Sequence, residues 1–449
     1  MKARIFQPLF LSVRLPTLLA MFWRAHIGRA PSAGLSHKGP IAFIVFRLDS
    51  LGDVVMTTPL FRALKQAHPE SRCTVVVQEC YKSLLATNPH IDEILTLPKV
   101  RPDWLPQGAR RLLSAVVLYW TRLRKRHFDF AVSPRWDVDE YLATFLCVLT
   151  HAASRIGYSE KASPEKQRIN RGFDAAYNIC LPAGPVRHEV LRNLSIANAL
   201  GATAADAALE ITLTERDRRK AAKLLANVPT TTKLVAIGIG AASAGRRWPL
   251  ERYADVMNLL AREYNVQSAI VGSAAEHDQA LKLAALLQPT PIVLSGAGLR
   301  EVCAVLERCD LFLGNDSGCA HLAAAMDCKV IAISRHPRHG DPNHCNSPLR
   351  FAPHCAHARV LQPATALDGC KEACRAGQPH CITNVSVEEV VAAARQMLTE
   401  TRAPVVLPRP RSLPDKAAQR LLHSHSADAI RRAVETLGDG AERPLTPLI

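Results

Sequence analysis

The stretch Phe43-Ile44-Val45-Phe46-Arg47-Leu48-Asp49-Ser50-Leu51-Gly52-Asp53-Val54-Val55-Met56-Thr57-Thr58-Pro59-Leu60 decides the fold. It opens as a short β-branched and aromatic run, the composition of a buried parallel strand. The run breaks at Asp49-Ser50-Leu51-Gly52, and apolar residues return at helical spacing with Val54, Val55, Leu60, Phe61 and Leu64. Strand, glycine-bearing turn and helix make the opening unit of an open α/β sheet, where ligands bind beyond the carboxyl ends of the strands. Asp53 therefore stands at the mouth of a crevice. The same grammar returns at Leu311-Phe312-Leu313-Gly314-Asn315-Asp316-Ser317-Gly318-Cys319-Ala320-His321-Leu322. Function is expected between these two turns.

Working outward, strands at 73–78, 94–97 and 128–133 alternate with helices at 81–86, 110–126 and 141–149. The pattern loosens around 200–233, with Gly201-Ala202-Thr203-Ala204-Ala205 as linker and a polar helix at 215–226. A second alternating series follows, with strands at 234–239, 266–271, 292–294, 311–313 and 330–334 and helices between them. Such alternation implies parallel sheets joined by right-handed crossovers. The expected division is a basic amphipathic N-terminal extension at 1–39, an α/β domain at 40–205, a second at 206–400 and a Pro-rich basic tail at 401–449. Two such domains bring their strand ends face to face across a cleft.

With 449 residues the chain can bury two substantial cores, and 48% hydrophobic with 21% charged residues is a globular composition. The formal net charge of +16 favours anionic partners. Aromatic residues at 5% are poor material for base stacking, which argues against nucleic acid. Several of the 13 cysteines fall inside expected strands and helices (Cys73, Cys147, Cys303, Cys309), as small core residues of a reducing compartment do. No apolar run reaches the roughly 18 residues of a membrane span. Residues 1–39 hold Lys2, Arg4, Arg14, Arg24, Arg29 and Lys38 among large apolar side chains and no acid. That pattern suits attachment at an anionic membrane surface; a secretory signal or a disordered tail are the competing readings. The basic face of 110–126 (Arg110, Arg111, Arg122, Arg124, Lys125, Arg126) is a second membrane candidate, although a solvated helix face is the plainer reading.

Four places can carry chemistry. In the first turn, Arg47, Asp49 and Asp53 gather charge; Asp53 is either a general base or an acid complementing a helix start, and spacing alone favours the latter. In the second, Asn315-Asp316-Ser317-Gly318 opens a helix whose free N–H groups suit a phosphate, while Asn315 and Ser317 are equally N-cap candidates. Third, Gly238-Ile239-Gly240-Ala241-Ala242-Ser243-Ala244-Gly245-Arg246-Arg247-Trp248-Pro249 lets backbone approach a ligand, with Arg246 and Arg247 suited to a diphosphate. Fourth, Glu276 lies just past a strand, where a ribose hydroxyl pair can be held. The segment Cys345, Cys355, Cys370, Cys374 and Cys381, interspersed with His336, His339, His344, His354, His357 and His380, lacks the twice-repeated close pairing of familiar zinc sites; only Cys370 and Cys374 come near it. Packed or redox-inert thiols are the expectation there, with a bound metal as the less favoured alternative.

Arg47…Leu51-Gly52-Asp53…Thr58-Pro59-Leu60, Arg246-Arg247-Trp248-Pro249…Tyr253-Ala254 and Gly314-Asn315-Asp316-Ser317-Gly318…His321-Leu322-Ala323-Ala324, in this order, resemble glycosyltransferase family 9, the heptosyltransferases of bacterial lipopolysaccharide synthesis. The likeness runs from about Ile41 to Leu398. It implies a GT-B fold: two Rossmann-like domains, the first for the acceptor and the second for a nucleotide-sugar donor. It further implies inverting, metal-independent transfer with no cofactor. Asp53 matches the family's catalytic base, and Arg47 and Asp49 flank it on the acceptor side. Arg246 falls where the family has a phosphate-contacting Lys, Glu276 at the ribose acid and Asp316 at the acid that contacts the donor sugar or positions the phosphate-binding turn. Ser243, Arg247, Asn315, Ser317, Gly318 and His321 complete the donor side.

The resemblance implies transfer of a heptose or related sugar from an ADP-type donor to a lipopolysaccharide-core or other lipid-linked, anionic saccharide. The enzyme would be cytoplasmic and peripheral to the inner membrane. Arg246 in place of Lys, Ala241-Ala242 where hydroxyl side chains are common, and both extended termini are departures that bear on donor identity. A family member with a different nucleotide sugar and a non-catalytic glycan-binding or assembly protein are the alternatives. A dinucleotide oxidoreductase is remote, because no G-x-G-x-x-G follows either first strand.

Overall fold

The computed structural model describes residues 40–101 and 104–400. Six strands form the first sheet: β1 (Ala42–Phe46), β2 (Arg72–Gln78), β3 (Glu93–Leu97), β4 (Phe130–Ser133), β5 (Ser154–Tyr158) and β6 (Ile179–Leu181). Their spatial order is β3-β2-β1-β4-β5-β6, and every pair is parallel. The second sheet holds β7 (Lys233–Gly238), β8 (Val266–Val271), β9 (Ile292–Val293), β10 (Leu311–Asn315), β11 (Lys329–Ile333) and β12 (Ala358–Leu361). It runs β12-β11-β10-β7-β8-β9, again all parallel. Each sheet reverses its order once, between β1 and β4 and between β7 and β10. Those reversals open the crevices where ligands sit in such sheets.

The composition of β1 explains its place. Phe43, Ile44, Val45 and Phe46 are all fully buried, because helices cover both faces of the sheet. Each such side chain contributes about 1.5–3 kcal/mol of burial. Phe43 also stacks on Phe130 of the neighbouring β4, with ring centroids 5.2 Å apart.

Both α/β units expected from the sequence are present, as a GT-B arrangement of two Rossmann-like sheets. The structure adds β5, β6, β12 and the helix Glu189–Ala199, which were not anticipated. These strands are short and carry Arg155, Asn178 or Arg359 in or beside them, which hides their pattern. The expected 110–126 helix is α-helical over Gln107–Leu118 and ends in a π-turn at Tyr119–Leu123. The expected 141–149 helix begins at Ala143, since Leu142 is left-handed with φ 62°.

The two units are joined closely. Arg62 on the Thr58–Ala67 helix pairs with Asp206 and Glu210 of the connecting segment. Arg300 donates to Thr87 Oγ1 at 2.8 Å and to Asp217. Arg350 is wholly buried: it donates to Asp137 at 3.1 and 2.8 Å and to Glu189 at 3.2 and 2.7 Å, across the two halves. No helix among the described residues is long and apolar enough to cross a membrane. The N-terminal extension and the Pro-rich tail lie outside the described residues.

Candidate active site

The site grows from the turn after β1. Ser50 is the N-cap of the Leu51–Met56 helix and Asp53 its third residue: Asp53 Oδ2 accepts from the Ser50 N–H at 3.1 Å and the Ser50 hydroxyl at 2.7 Å. Asp53 is therefore a helix-capping acid, as spacing suggested, yet capping does not exhaust it. Arg47, with no exposed surface, donates to Asp53 Oδ1 and to Asp49 Oδ2, both at 3.2 Å, and to the Asp53 carbonyl at 3.1 Å. Arg135, just past β4, approaches both Asp53 oxygens at 3.5 Å and Asp49 at 3.4 Å. Two guanidiniums thus face two carboxylates at the first sheet's switch point.

The environment separates the two acids. Burial opposes charge on Asp53, but Arg47, Arg135 and the Ser50 donors overcome it and hold the carboxyl down to about 2. At Asp49 burial prevails over Arg135 and Arg47, so its pKa is raised above the ordinary 3.8. Asp53 is the fixed anion of the pair and Asp49 the stronger base.

The second turn lies directly against the first. A Cβ on Gly52 would meet His321 Cδ2 at 2.7 Å, and one on Gly318 would meet Leu51 Cβ at 2.8 Å. Glycine at these two places lets the Leu51–Met56 and Gly318–Ala325 helices touch. His321 is buried with its Nδ1 unpartnered, and Ser317 Oγ is likewise buried and unpartnered. Burial depresses the His321 pKa despite Asp316 and Asp53 nearby, which favours the neutral ring.

Arg246 Nη2 donates to Asp316 Oδ2 at 2.9 Å and to the Asp316 carbonyl at 2.6 Å, which ties the Gly-rich loop to the second turn. Asn315 is fully buried and spent within the protein: its amide donates to Ile239 O at 2.8 Å and its oxygen accepts from Trp248 N at 2.8 Å and Tyr253 Oη at 3.0 Å. It shapes the loop rather than offering itself outward. Glu276 accepts from Ser273 N and Oγ, each at 2.8 Å, and lies 3.5 Å from Arg247 Nη2. Both its oxygens would sit 2.7 Å from a Cβ at Gly240, so the acid is aimed at the backbone after β7. Ser243 caps the short turn Ala244–Arg246 by position.

Sequence reasoning missed Arg135, Trp136 and Asp137. Applying the carboxyl-end rule to β4, as it was applied to β1, finds them. Lys166 is also new: its buried ammonium donates to the Arg135 and Tyr158 carbonyls, each at 3.0 Å, and burial lowers its pKa to about 8. No sequence pattern announces Glu189, Arg192 and Arg350, which meet only in three dimensions. Arg192 and Arg350 lie over the Trp136 ring at 3.8 and 4.4 Å.

Behind the Gly-rich loop, Cys370, Cys374, His380 and Cys381 bring one ligand atom each to within 4.8 Å of one another. Local sequence spacing gave only the first two.

Residues 117–343 match the model of glycosyltransferase family 9 (heptosyltransferase). The chain belongs to this family. The match covers half the protein and runs from before β4 to past β11, taking in the Gly-rich loop and the second turn. Among similar proteins is a lipopolysaccharide core heptosyltransferase of Haemophilus influenzae, 24% identical over 322 residues, 71% of this chain and 83% of that one. Lipopolysaccharide heptosyltransferase 2 of Salmonella typhimurium is 23% identical over 78% of this chain and 96% of its own length. The fold likeness extends to a family 9 glycosyltransferase from Veillonella parvula, with TM-score 0.65 at 23% identity over 82% of this chain and all of that one. It extends also to the ADP-heptose lipopolysaccharide heptosyltransferase II of E. coli, with TM-score 0.58 at 18% identity over 80% and 98% of the two chains. The protein is a family 9 glycosyltransferase of GT-B fold.

Proposed function

We propose that this glycosyltransferase moves a heptose from an ADP-type nucleotide sugar to a lipid-linked, anionic saccharide of the lipopolysaccharide-core type, with inversion at the anomeric carbon. The observation that carries the reading is the contact of the two turns, Gly52 on His321 and Gly318 on Leu51, which seats the Asp53 carboxylate beside the Arg246–Asp316 turn. The heptosyltransferase names of the relatives support the sugar.

In this mechanism the acceptor hydroxyl attacks the anomeric carbon from the face opposite the diphosphate. The carbon–oxygen bond to the diphosphate breaks, and the hydroxyl proton passes to Asp53. A carboxylate held at about 2 is a weak base. It suffices because the proton becomes strongly acidic as its oxygen bonds to carbon, so transfer comes late. Arg47 and Arg135 keep Asp53 ionised and oriented. Negative charge building on the leaving diphosphate is met by Arg246, Arg247 and the N–H groups opening the Gly318–Ala325 helix. Ser317 and His321 belong to the same turn; their unpartnered Oγ and Nδ1 are buried, so contact with the donor requires the turn to shift as the donor binds. Glu276 holds the ribose.

The acceptor enters on the side of Arg47, Asp49 and Asp53. The chain's net charge of +16, with Trp104 and Trp120 exposed near the basic Gln107–Leu118 helix, supports peripheral attachment at the cytoplasmic face of the inner membrane. The domain division is proposed at 40–205 for the acceptor and 206–400 for the donor.

The test is binding and turnover of a panel of nucleotide sugars by the wild type, Asp53→Ala and Arg246→Ala. ADP-heptose should bind, and Asp53→Ala should keep binding and lose transfer by about 10²–10⁴-fold. Arg246→Ala should weaken donor binding by roughly 10–100-fold, the worth of a charge-assisted contact. Preference for another nucleotide sugar would reassign the donor, and binding of none would remove the transferase reading.

A further inference from the structure

The segment between β12 and the Val387–Thr399 helix has little regular structure of its own. Only the short turn Cys381–Asn384 interrupts it. It is nevertheless held tightly, and at its centre three thiols and an imidazole converge. Cys374 and Cys381 are buried, Cys370 and His380 partly so. His380 Nδ1 stands 3.6 Å from Cys370 Sγ and 3.4 Å from Cys381 Sγ. A tetrahedral ion with sulfur ligands at about 2.3 Å and nitrogen at about 2.0 Å separates its ligand atoms by roughly 3.5 Å, so two edges already have that length. The four atoms together need close by only about an ångström from their 4.8 Å spread. The Leu367 N–H points at Cys381 Sγ at 3.4 Å, a contact that stabilises thiolate more than thiol.

We propose that Cys370, Cys374, His380 and Cys381 form a structural metal site of the Cys₃His class for one tetrahedral divalent ion. Zinc suits this donor set best, and ferrous iron is the other ion that accepts it. Four protein ligands leave no open position, so the ion is a clamp and takes no part in sugar transfer.

The loop between the ligands shows what the clamp holds. Glu372 O accepts from Asp341 N at 2.9 Å, and Ala376 O accepts from Arg335 Nη1 at 3.2 Å. A Cβ on Gly245 would lie 2.3 Å from Ala376 O and 3.1 Å from Gln378 O. The metal loop is therefore the wall behind Gly245, the neighbour of Arg246. Its bearing on donor binding rests on the role proposed for Arg246, whereas the metal itself can be measured without any substrate.

The experiment is elemental analysis of the full chain, purified without chelator or added metal, beside Cys374→Ser/Cys381→Ser, His380→Ala and His380→Cys. About one zinc ion per chain is expected in the wild type and in His380→Cys, with loss in the double variant and depletion in His380→Ala. Stoichiometric iron lost in the same variants supports the same site with the other ion. Co²⁺ exchanged into the wild type should give the intense thiolate-to-metal absorption and the visible bands of a tetrahedral centre. Removing the ion by chelator should lower the melting temperature and weaken nucleoside diphosphate binding several-fold. A folded wild-type chain that holds no metal as isolated and takes up neither Zn²⁺ nor Co²⁺ overturns the site, and so does stoichiometric metal retained by the double variant. If metal is found but its removal leaves nucleotide binding unchanged, the site stands and its link to Arg246 fails.

Discussion

Arg47→Met is the sharpest probe of the charge cluster beneath the cleft. Arg47 is buried and makes three contacts of 3.1–3.2 Å to Asp49 and Asp53. Deleting it leaves two buried carboxylates to Arg135 alone, and breaking a buried ion cluster from one side costs about 3–5 kcal/mol. Part of that cost has a pH signature. Asp53 titrates at about 2 in the fold against an ordinary 3.8, which is worth about 2 kcal/mol of stability. Because the folded value is the lower one, this contribution is complete above about pH 5 and is lost as pH falls through 3.8 toward 2. The gap between wild type and Arg47→Met, measured by urea unfolding, should thus be about 3–5 kcal/mol at pH 7. It should narrow by about 1 kcal/mol between pH 5 and pH 3. The same substitution moves Asp53 upward, so an acid limb absent from the wild-type kcat profile above pH 4 should appear in the variant. A gap under about 1 kcal/mol at neutral pH, or one indifferent to pH, refutes the cluster as drawn. Loss of transfer in Asp49→Asn with retention in Asp53→Asn would move the base to Asp49.

Three further outcomes follow from the contacts around the cleft. Arg350→Met should cost about 3–5 kcal/mol in denaturant unfolding, because Glu189 and Asp137 lose their interdomain partner; a cost below about 1 kcal/mol would deny the clamp. His188 Nδ1 accepts from Val190 N–H at 3.2 Å, so its Nε2 proton bonds the Ala352 carbonyl at 2.8 Å, and burial with His354 nearby holds its pKa down to about 3. The unfolded chain then takes up the proton first, and stability falls as pH drops below 6.5, by up to about 2 kcal/mol at pH 5; His188→Gln should show a smaller fall in melting temperature between pH 7.5 and 5. Removal of residues 1–38 should reduce co-sedimentation with anionic vesicles, and undiminished binding would discard the N-terminal attachment.

What could be read in the sequence follows from how local each signal is. β1 is legible because four residues buried on both faces give an unbroken apolar run, followed at once by a glycine turn. β12 was invisible: it is an edge strand of four half-buried residues, Ala358–Leu361, whose pairing with β11 comes from the sheet and not from its own composition. The Glu189–Ala199 helix hid for a related reason, since its buried face includes Glu189, Arg192 and Asn193, polar residues that periodicity counts as solvent-facing. These side chains are buried because they meet Arg350, Trp136 and the Met56 carbonyl, partners at long sequence separation.

The candidate site divides along the same line. Asp53, Arg246, Asp316 and Glu276 stand just past strands, where a general rule about α/β sheets points, and the structure sets them around one pair of touching turns. Asn315 shows the limit of that rule: it occupies such a position yet spends its whole amide inside the protein. The cysteines show the opposite failure. Judged by pair spacing, Cys381 had no close partner, because its imidazole neighbour His380 is adjacent in sequence and its thiol neighbours arrive from across a loop. Backbone contacts such as those of Glu372 O and Ala376 O fix part of this loop, and with so little helix or strand the rest depends on what its side chains bind. Four ligand atoms converging there add a constraint that hydrophobic burial does not supply, and they make metal content the property of this glycosyltransferase that the segment's geometry predicts.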